Sequence, residues 1–172
     1  HTDLPQLDGI ELANPTGAPA AIGGWYLTDD RSVPRKYRIP PGTVIPAGGY
    51  LWFDETKFNA DTNAPTSFRL DSLGDSAWLF AADATGALLG YAHGTDFGAA
   101  PNGVSFGREL LCDGREVFVP QRQVTPGAAN AGPLRPPVVI SEFHYRPPDV
   151  VLGGSAVNDT TLEFVELANT GD

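Results

Sequence analysis

Apolar residues in this chain come in runs of about four to eight, and nearly every run is closed by Gly, Pro or Asp. Trp25-Tyr26-Leu27-Thr28 leads into Asp29-Asp30, Lys36-Tyr37-Arg38-Ile39 stops at Pro40-Pro41-Gly42, and Thr43-Val44-Ile45 and Tyr50-Leu51-Trp52-Phe53 flank Pro46-Ala47-Gly48-Gly49. Ser67-Phe68-Arg69-Leu70, Ala77-Trp78-Leu79-Phe80 and Ala87-Leu88-Leu89-Gly90-Tyr91 continue the pattern, followed by Val104-Ser105-Phe106 and Glu116-Val117-Phe118-Val119 on either side of Asp113-Gly114. No window of about 11 residues free of Gly and Pro carries the i, i+3, i+4, i+7 apolar spacing of a helix. The chain therefore reads as all-β with no substantial helix. Its apolar strand faces need a second layer to cover them, which makes a β-sandwich the expected architecture. The 20 Gly and 16 Pro fit turns rather than disorder, because a 41% hydrophobic share supplies a core.

An internal echo sets the domain organisation. Ile10-Glu11-Leu12-Ala13-Asn14-Pro15-Thr16-Gly17 returns as Val165-Glu166-Leu167-Ala168-Asn169-Thr170-Gly171, with one residue fewer, and Glu166 follows Glu11 by 155 residues. That period is too long for a solenoid unit and suits a domain. The small, proline-stiffened stretch Thr125-Pro126-Gly127-Ala128-Ala129-Asn130-Ala131-Gly132-Pro133 marks a domain exit. The division expected is one nearly complete copy over residues 7–132, a linker over 133–137, and the opening strands of a second copy over 138–172. Within that second copy, residues 138–145 read as a strand and 146–161 as a loop. The chain has no Met, so the expectation is a segment from inside a longer protein, with any secretion signal out of view.

Five elements occur in a characteristic order: Ile10-Glu11-Leu12-Ala13-Asn14, Gly24-Trp25-Tyr26-Leu27-Thr28-Asp29, the run from Ile39 to Tyr50, Ser105-Phe106-Gly107-Arg108, and Thr125-Pro126-Gly127-Ala128-Ala129-Asn130. In this order they resemble a bacterial lamin-tail domain. The resemblance implies an immunoglobulin-like sandwich that acts as a non-catalytic interaction, adhesion or spacer module in large secreted or surface proteins. It implies a protein or an extracellular polymer as partner, and no catalytic residues. That family opens with a strand like Val138-Val139-Ile140-Ser141-Glu142-Phe143-His144-Tyr145, and the first copy has no such strand ahead of Leu7. The expectation is that these eight residues complete the first sheet, in their own chain or by strand exchange with a neighbour. Residues 162–168 would then be peripheral or paired with another molecule.

Charge and composition narrow the remaining chemistry. A formal charge of −10 disfavours phosphate backbones and anionic lipid, so nucleic acid is not an expected partner, and no run of 18 apolar residues suggests membrane insertion. A single cysteine, Cys112, precludes an internal disulfide and is expected to be a small packed side chain. His1, His93 and His144 stand far apart in sequence, with no zinc-type spacing, and His93 reads as a strand-end residue. Gly103-Val104-Ser105-Phe106-Gly107 matches the nucleophile-elbow pattern, but β-forming residues follow Ser105 where a helix is required, so no hydrolase is expected. Acidic turns contain Asp29, Asp30, Asp71 and Asp75, which suit calcium through carboxylate and loop-carbonyl oxygens; no D-x-D-x-D-G array accompanies them, and turn Asp side chains ordinarily bond their own backbone. The expectation is no cofactor, and the rival reading is a calcium-dependent carbohydrate-binding sandwich. Trp25 and Trp78 read as core, Trp52 as either core or surface, and Asn158-Asp159-Thr160 as a formal glycosylation acceptor.

Overall fold

β-Forming runs this short gain little from any one ladder, so they hold only where several pack over a shared core. The computed structural model describes residues 7–158, 160 and 162–171, and the chain divides into two units, His1–Leu134 and Arg135–Asp172. The chain is all-β: among the described residues no helix reaches seven residues, and every strand pair is antiparallel.

In the first unit the strands are β1 (Gly9–Ala13), β2 (Ala20–Ala21), β3 (Tyr26–Thr28), β4 (Tyr37–Arg38), β5 (Val44–Ile45), β6 (Tyr50–Asp54), β7 (Gly74–Ala82), β8 (Leu88–Gly98), β9 (Phe106–Leu110) and β10 (Glu116–Pro120). A four-residue helix, α1 (Glu55–Phe58), follows β6. The order β4-β3-β7-β8 forms a four-stranded sheet, and β1–β6, β2–β5 and β9–β10 form two-stranded ones. Leu27 of β3 and Leu79 of β7 meet Phe53 of β6 and Ile10 and Leu12 of β1 in one core with Ile22, Ile39, Ile45, Phe58, Phe68 and Leu70. Two layers share that core, as a sandwich requires.

Two glycines are demanded by close approach. A Cβ on Gly94 of β8 would lie 2.2 Å from the Ala77 carbonyl oxygen and 2.7 Å from Trp78, so only Gly lets β8 run beside that residue. A Cβ on Gly9 would lie 2.0 Å from the Trp52 ring, which covers the start of β1.

The structure corrects several expectations. Residues 67–70 form no strand: Phe68 and Leu70 plug the core from an irregular segment, and the Phe68 ring stacks on Phe58 at 4.6 Å. Trp25 is half-buried at the core margin rather than enclosed, with Tyr91 at 5.9 Å. Trp78 is also only partly buried, Arg31 lies over its ring at 4.6 Å, and its buried indole N–H has no hydrogen-bond partner among the described residues. Trp52 is 38% exposed. His93 sits in mid-strand, and Cys112 is exposed in the β9–β10 turn. The expected linker begins late, because Pro133 bridges to Gln121 and the Leu134 N–H donates to the Pro120 carbonyl at 2.7 Å.

The second unit consists of β11 (Val138–His144), β12 (Val150–Leu152), β13 (Ser155–Val157) and β14 (Phe164–Asn169), paired as β11–β14 and β12–β13. The segment expected to be a loop over 146–161 thus contains a hairpin turning at Gly153-Gly154, both with positive φ. His1 and Asp159 lie outside the described residues.

Asn14 shows how the end of β1 is built into the first unit. Only 4% exposed, it donates through Nδ2 to the carbonyls of Ala18 (2.8 Å), Ile45 (3.1 Å) and Pro46 (3.0 Å), while Oδ1 accepts from the Thr16 N–H and hydroxyl. Its echo, Asn169, is exposed, and among the described residues its side chain accepts only the Gly171 N–H, at 3.0 Å. Asn14→Ala strands buried carbonyls and is expected to cost about 1–3 kcal/mol, read from the urea midpoint. Asn169→Ala is expected to stay within about 0.5 kcal/mol. Equal effects at the two positions would contradict this assignment.

Candidate functional site

The two copies of the echoed strand bond through opposite edges. In β1, the Asn14 N–H donates to the Gly49 carbonyl (2.9 Å) and the Asp8 carbonyl accepts the Glu55 N–H (2.8 Å). Antiparallel alternation then turns the ladder groups of Ile10 and Leu12 toward β6 and those of Gly9, Glu11 and Ala13 outward. Among the described residues no backbone group bonds to these outward N–H and C=O groups. In β14, the Thr170 N–H donates to the Pro137 carbonyl at 2.7 Å, and alternation turns Ala168, Glu166 and Phe164 toward β11. These three are the counterparts of Ala13, Glu11 and Gly9. The groups that β14 uses to hold β11 are the ones β1 leaves unused.

β11 itself is the expected interaction strand. Val138, Val139, Ile140, Glu142, Phe143 and His144 lie opposite Asn169, Ala168, Leu167, Glu166, Val165 and Phe164, with Ser141 as a bulge whose hydroxyl donates to Glu166 Oε1 at 2.6 Å. Tyr145 lies just past the strand, which ends at His144, and Arg146 beyond it is the only described non-glycine residue with positive φ. The expectation that residues 138–145 complete the first sheet, with 162–168 peripheral or paired with another molecule, is corrected: in the structure β11 and β14 instead pair with each other as a two-stranded sheet. Apolar side chains here face solvent: Ile140, Phe143, Tyr145, Val165 and Leu167 are 64–71% exposed. Several of them line a shallow apolar depression with Phe164, His144 and Glu163. Ile10 and Leu12, the counterparts of Val165 and Leu167, instead pack on the core.

The acidic calcium candidates are engaged in their own turns. Asp29 pairs with Lys36, and the Asp30 carboxylate accepts the Ser32 N–H and hydroxyl, which lowers its pKa. Asp71 accepts the Leu73 N–H at 2.7 Å, and Asp75 accepts the N–H groups of Asp71 and Ser76. Asp71 and Asp75 share a shallow depression with Arg69, and the Ser76 hydroxyl donates to the Asp29 carbonyl. Among the described residues no three metal-ligating side chains converge. Ser105 precedes β9, so a strand and not a helix follows it, and its carbonyl accepts the Gln121 N–H at 2.8 Å.

Sequence reasoning missed one charged cluster. Arg108 of β9 donates to Glu116 Oε1 of β10 (Nε at 2.7 Å), and His93 Nε2 of β8 lies 2.9 Å from Oε2. These links, with Phe97 against Phe106 at 5.4 Å, join the β9–β10 hairpin to β8. Only the β8–β9–β10 packing brings the three together, so no sequence spacing marked them. Glu11, the central residue of β1, has its pKa raised by partial burial, offset by the Gly127 N–H on its carboxylate. Comparison of the chain with protein-family models, with curated proteins and with solved structures finds no match.

The Arg108 bonds, followed by the His93 bond, hold the Glu116 carboxyl at about 2, against an ordinary 4.5. A depressed folded value means the cluster stabilises the fold above pH 4.5 and loses that contribution as pH falls from 4.5 toward 2. Solvent exposure limits the effect to about 1 kcal/mol or less. The melting temperature of Glu116→Gln is therefore expected to fall less than wild type across that window. Parallel curves would show that the cluster is energetically silent.

Proposed function

We propose that the chain is a non-catalytic interaction or spacer module of a larger secreted or surface protein, built from repeated lamin-tail-like, immunoglobulin-like sandwiches that meet through strand edges. The observation carrying this reading is the contrast between the two copies of one strand: Ile10 and Leu12 sit on a core, while Val165 and Leu167 beside β11 stand in solvent. Apolar strand surface of this kind is what a partner covers. The ordered sequence elements from Ile10 to Asn130 support the family and the extracellular setting. The partner is a protein or an extracellular polymer that accepts a strand edge or an apolar sheet face.

The test is a calcium titration of the melting temperature together with retention on a polysaccharide panel and turnover of a generic ester. The expected result is a melting temperature unchanged between calcium and chelator, no calcium-linked retention, and no turnover that Ser105→Ala abolishes. Calcium-dependent glycan retention would replace this reading with that of a carbohydrate-binding module.

A further inference from the structure

We propose that the outer edge of β1 receives β11 from a second copy of this chain, antiparallel and in the register that β11 holds with β14. The inference rests on the interaction-module reading for its biological use, but its geometry comes from the chain alone. β1 and β14 share Glu-Leu-Ala-Asn preceded by a β-branched residue, and β14 already shows which strand its edge accepts and in what register. Carried over to β1, Val138 lies opposite Asn14, Val139 opposite Ala13, Ile140 opposite Leu12, Glu142 opposite Glu11, Phe143 opposite Ile10 and His144 opposite Gly9.

Three features favour that position. The outward ladder groups of Gly9, Glu11 and Ala13 gain partners; the Gly127 N–H bonds the Glu11 carboxylate, not its backbone, and among the described residues no backbone group bonds that ladder. Phe143 and Ile140, 70% and 65% exposed, come to lie beside Ile10 and Leu12, which have a core beneath them; β14 offers them no such support. The Ser141 hydroxyl, which donates to Glu166, meets its counterpart Glu11, a partly desolvated carboxylate with one backbone donor. Because β14 is tethered to β11, exchange onto another chain depends on concentration. Each chain carries one donor strand and one acceptor edge, so reciprocal exchange closes a dimer.

The experiment mixes two full-length variants of different tag mass, both with Cys112→Ser, one carrying Ala13→Cys and the other Val139→Cys. Opposed residues in an antiparallel pair lie about 4.5–5.5 Å apart at Cα, within disulfide reach. The expected result is a mixed disulfide several-fold above that formed when Val151→Cys, on exposed β12, replaces Val139→Cys. In parallel, Ala13→Pro removes an outward amide and spares the bonds to β6, so it is expected to abolish concentration-dependent dimerisation in sedimentation while Ala13→Ser retains it. A mixed disulfide no more abundant than the control overturns the proposal. So does an internal disulfide in a chain carrying both cysteines that excludes the mixed one. Such a failure alongside a calcium-independent, turnover-free protein removes strand addition and leaves the module reading standing; calcium-linked glycan binding removes the module reading instead.

Discussion

A β-strand has two edges, and every backbone N–H and C=O it buries needs a partner. Among the described residues β1 finds backbone partners on one side only. Its Ile10, Leu12 and Asn14 amides belong to the ladder with β6, and its Gly9, Glu11 and Ala13 groups point away from it. The seating of the first unit's core depends on that one-sided pairing: Ile10 and Leu12 pack on the core from β1, and Phe53 enters it from β6. Trp52 lies over Gly9, where a side chain would displace it.

The second unit is the complement. β14 carries the same short sequence, bonds through the other edge, and has β11 where β1 has β6. Laid over one another by their shared residues, the two copies describe a three-strand order, β11, echoed strand, β6, of which each copy realises two. The difference between Asn14, buried among five hydrogen bonds, and Asn169, exposed with one, measures how much surrounding structure each copy has. Exposed Phe143, Val165 and Leu167 belong to the same asymmetry.

Fold class was legible because turn residues cut the chain into strand-length runs, a local signal. Most strands lie where those runs do, and the echo marked β1 and β14 as equivalents. Where tertiary packing decided, the sequence misled: Phe68 and Leu70 look like strand residues but serve as core plugs off α1, and Trp25 stops at the core margin beside Tyr91. The β12–β13 hairpin was missed because polar residues and Pro147-Pro148 hide two three-residue strands. At the site, the sequence named β11 but could not say which edge of β1 is open, since that follows from pairing with β6. The Arg108–Glu116–His93 cluster likewise exists only through the packing of three strands.

The most direct test of the one-sided β1 is residue-resolved amide exchange at low and high protein concentration. In dilute solution the Leu12 and Asn14 amides should be protected, while those of Glu11 and Ala13 exchange rapidly. Raising the concentration should protect Glu11 and Ala13 as β11 of a second chain arrives. Glu11 and Ala13 amides that exchange equally fast at every concentration would contradict the account, as would protection of both already present at high dilution.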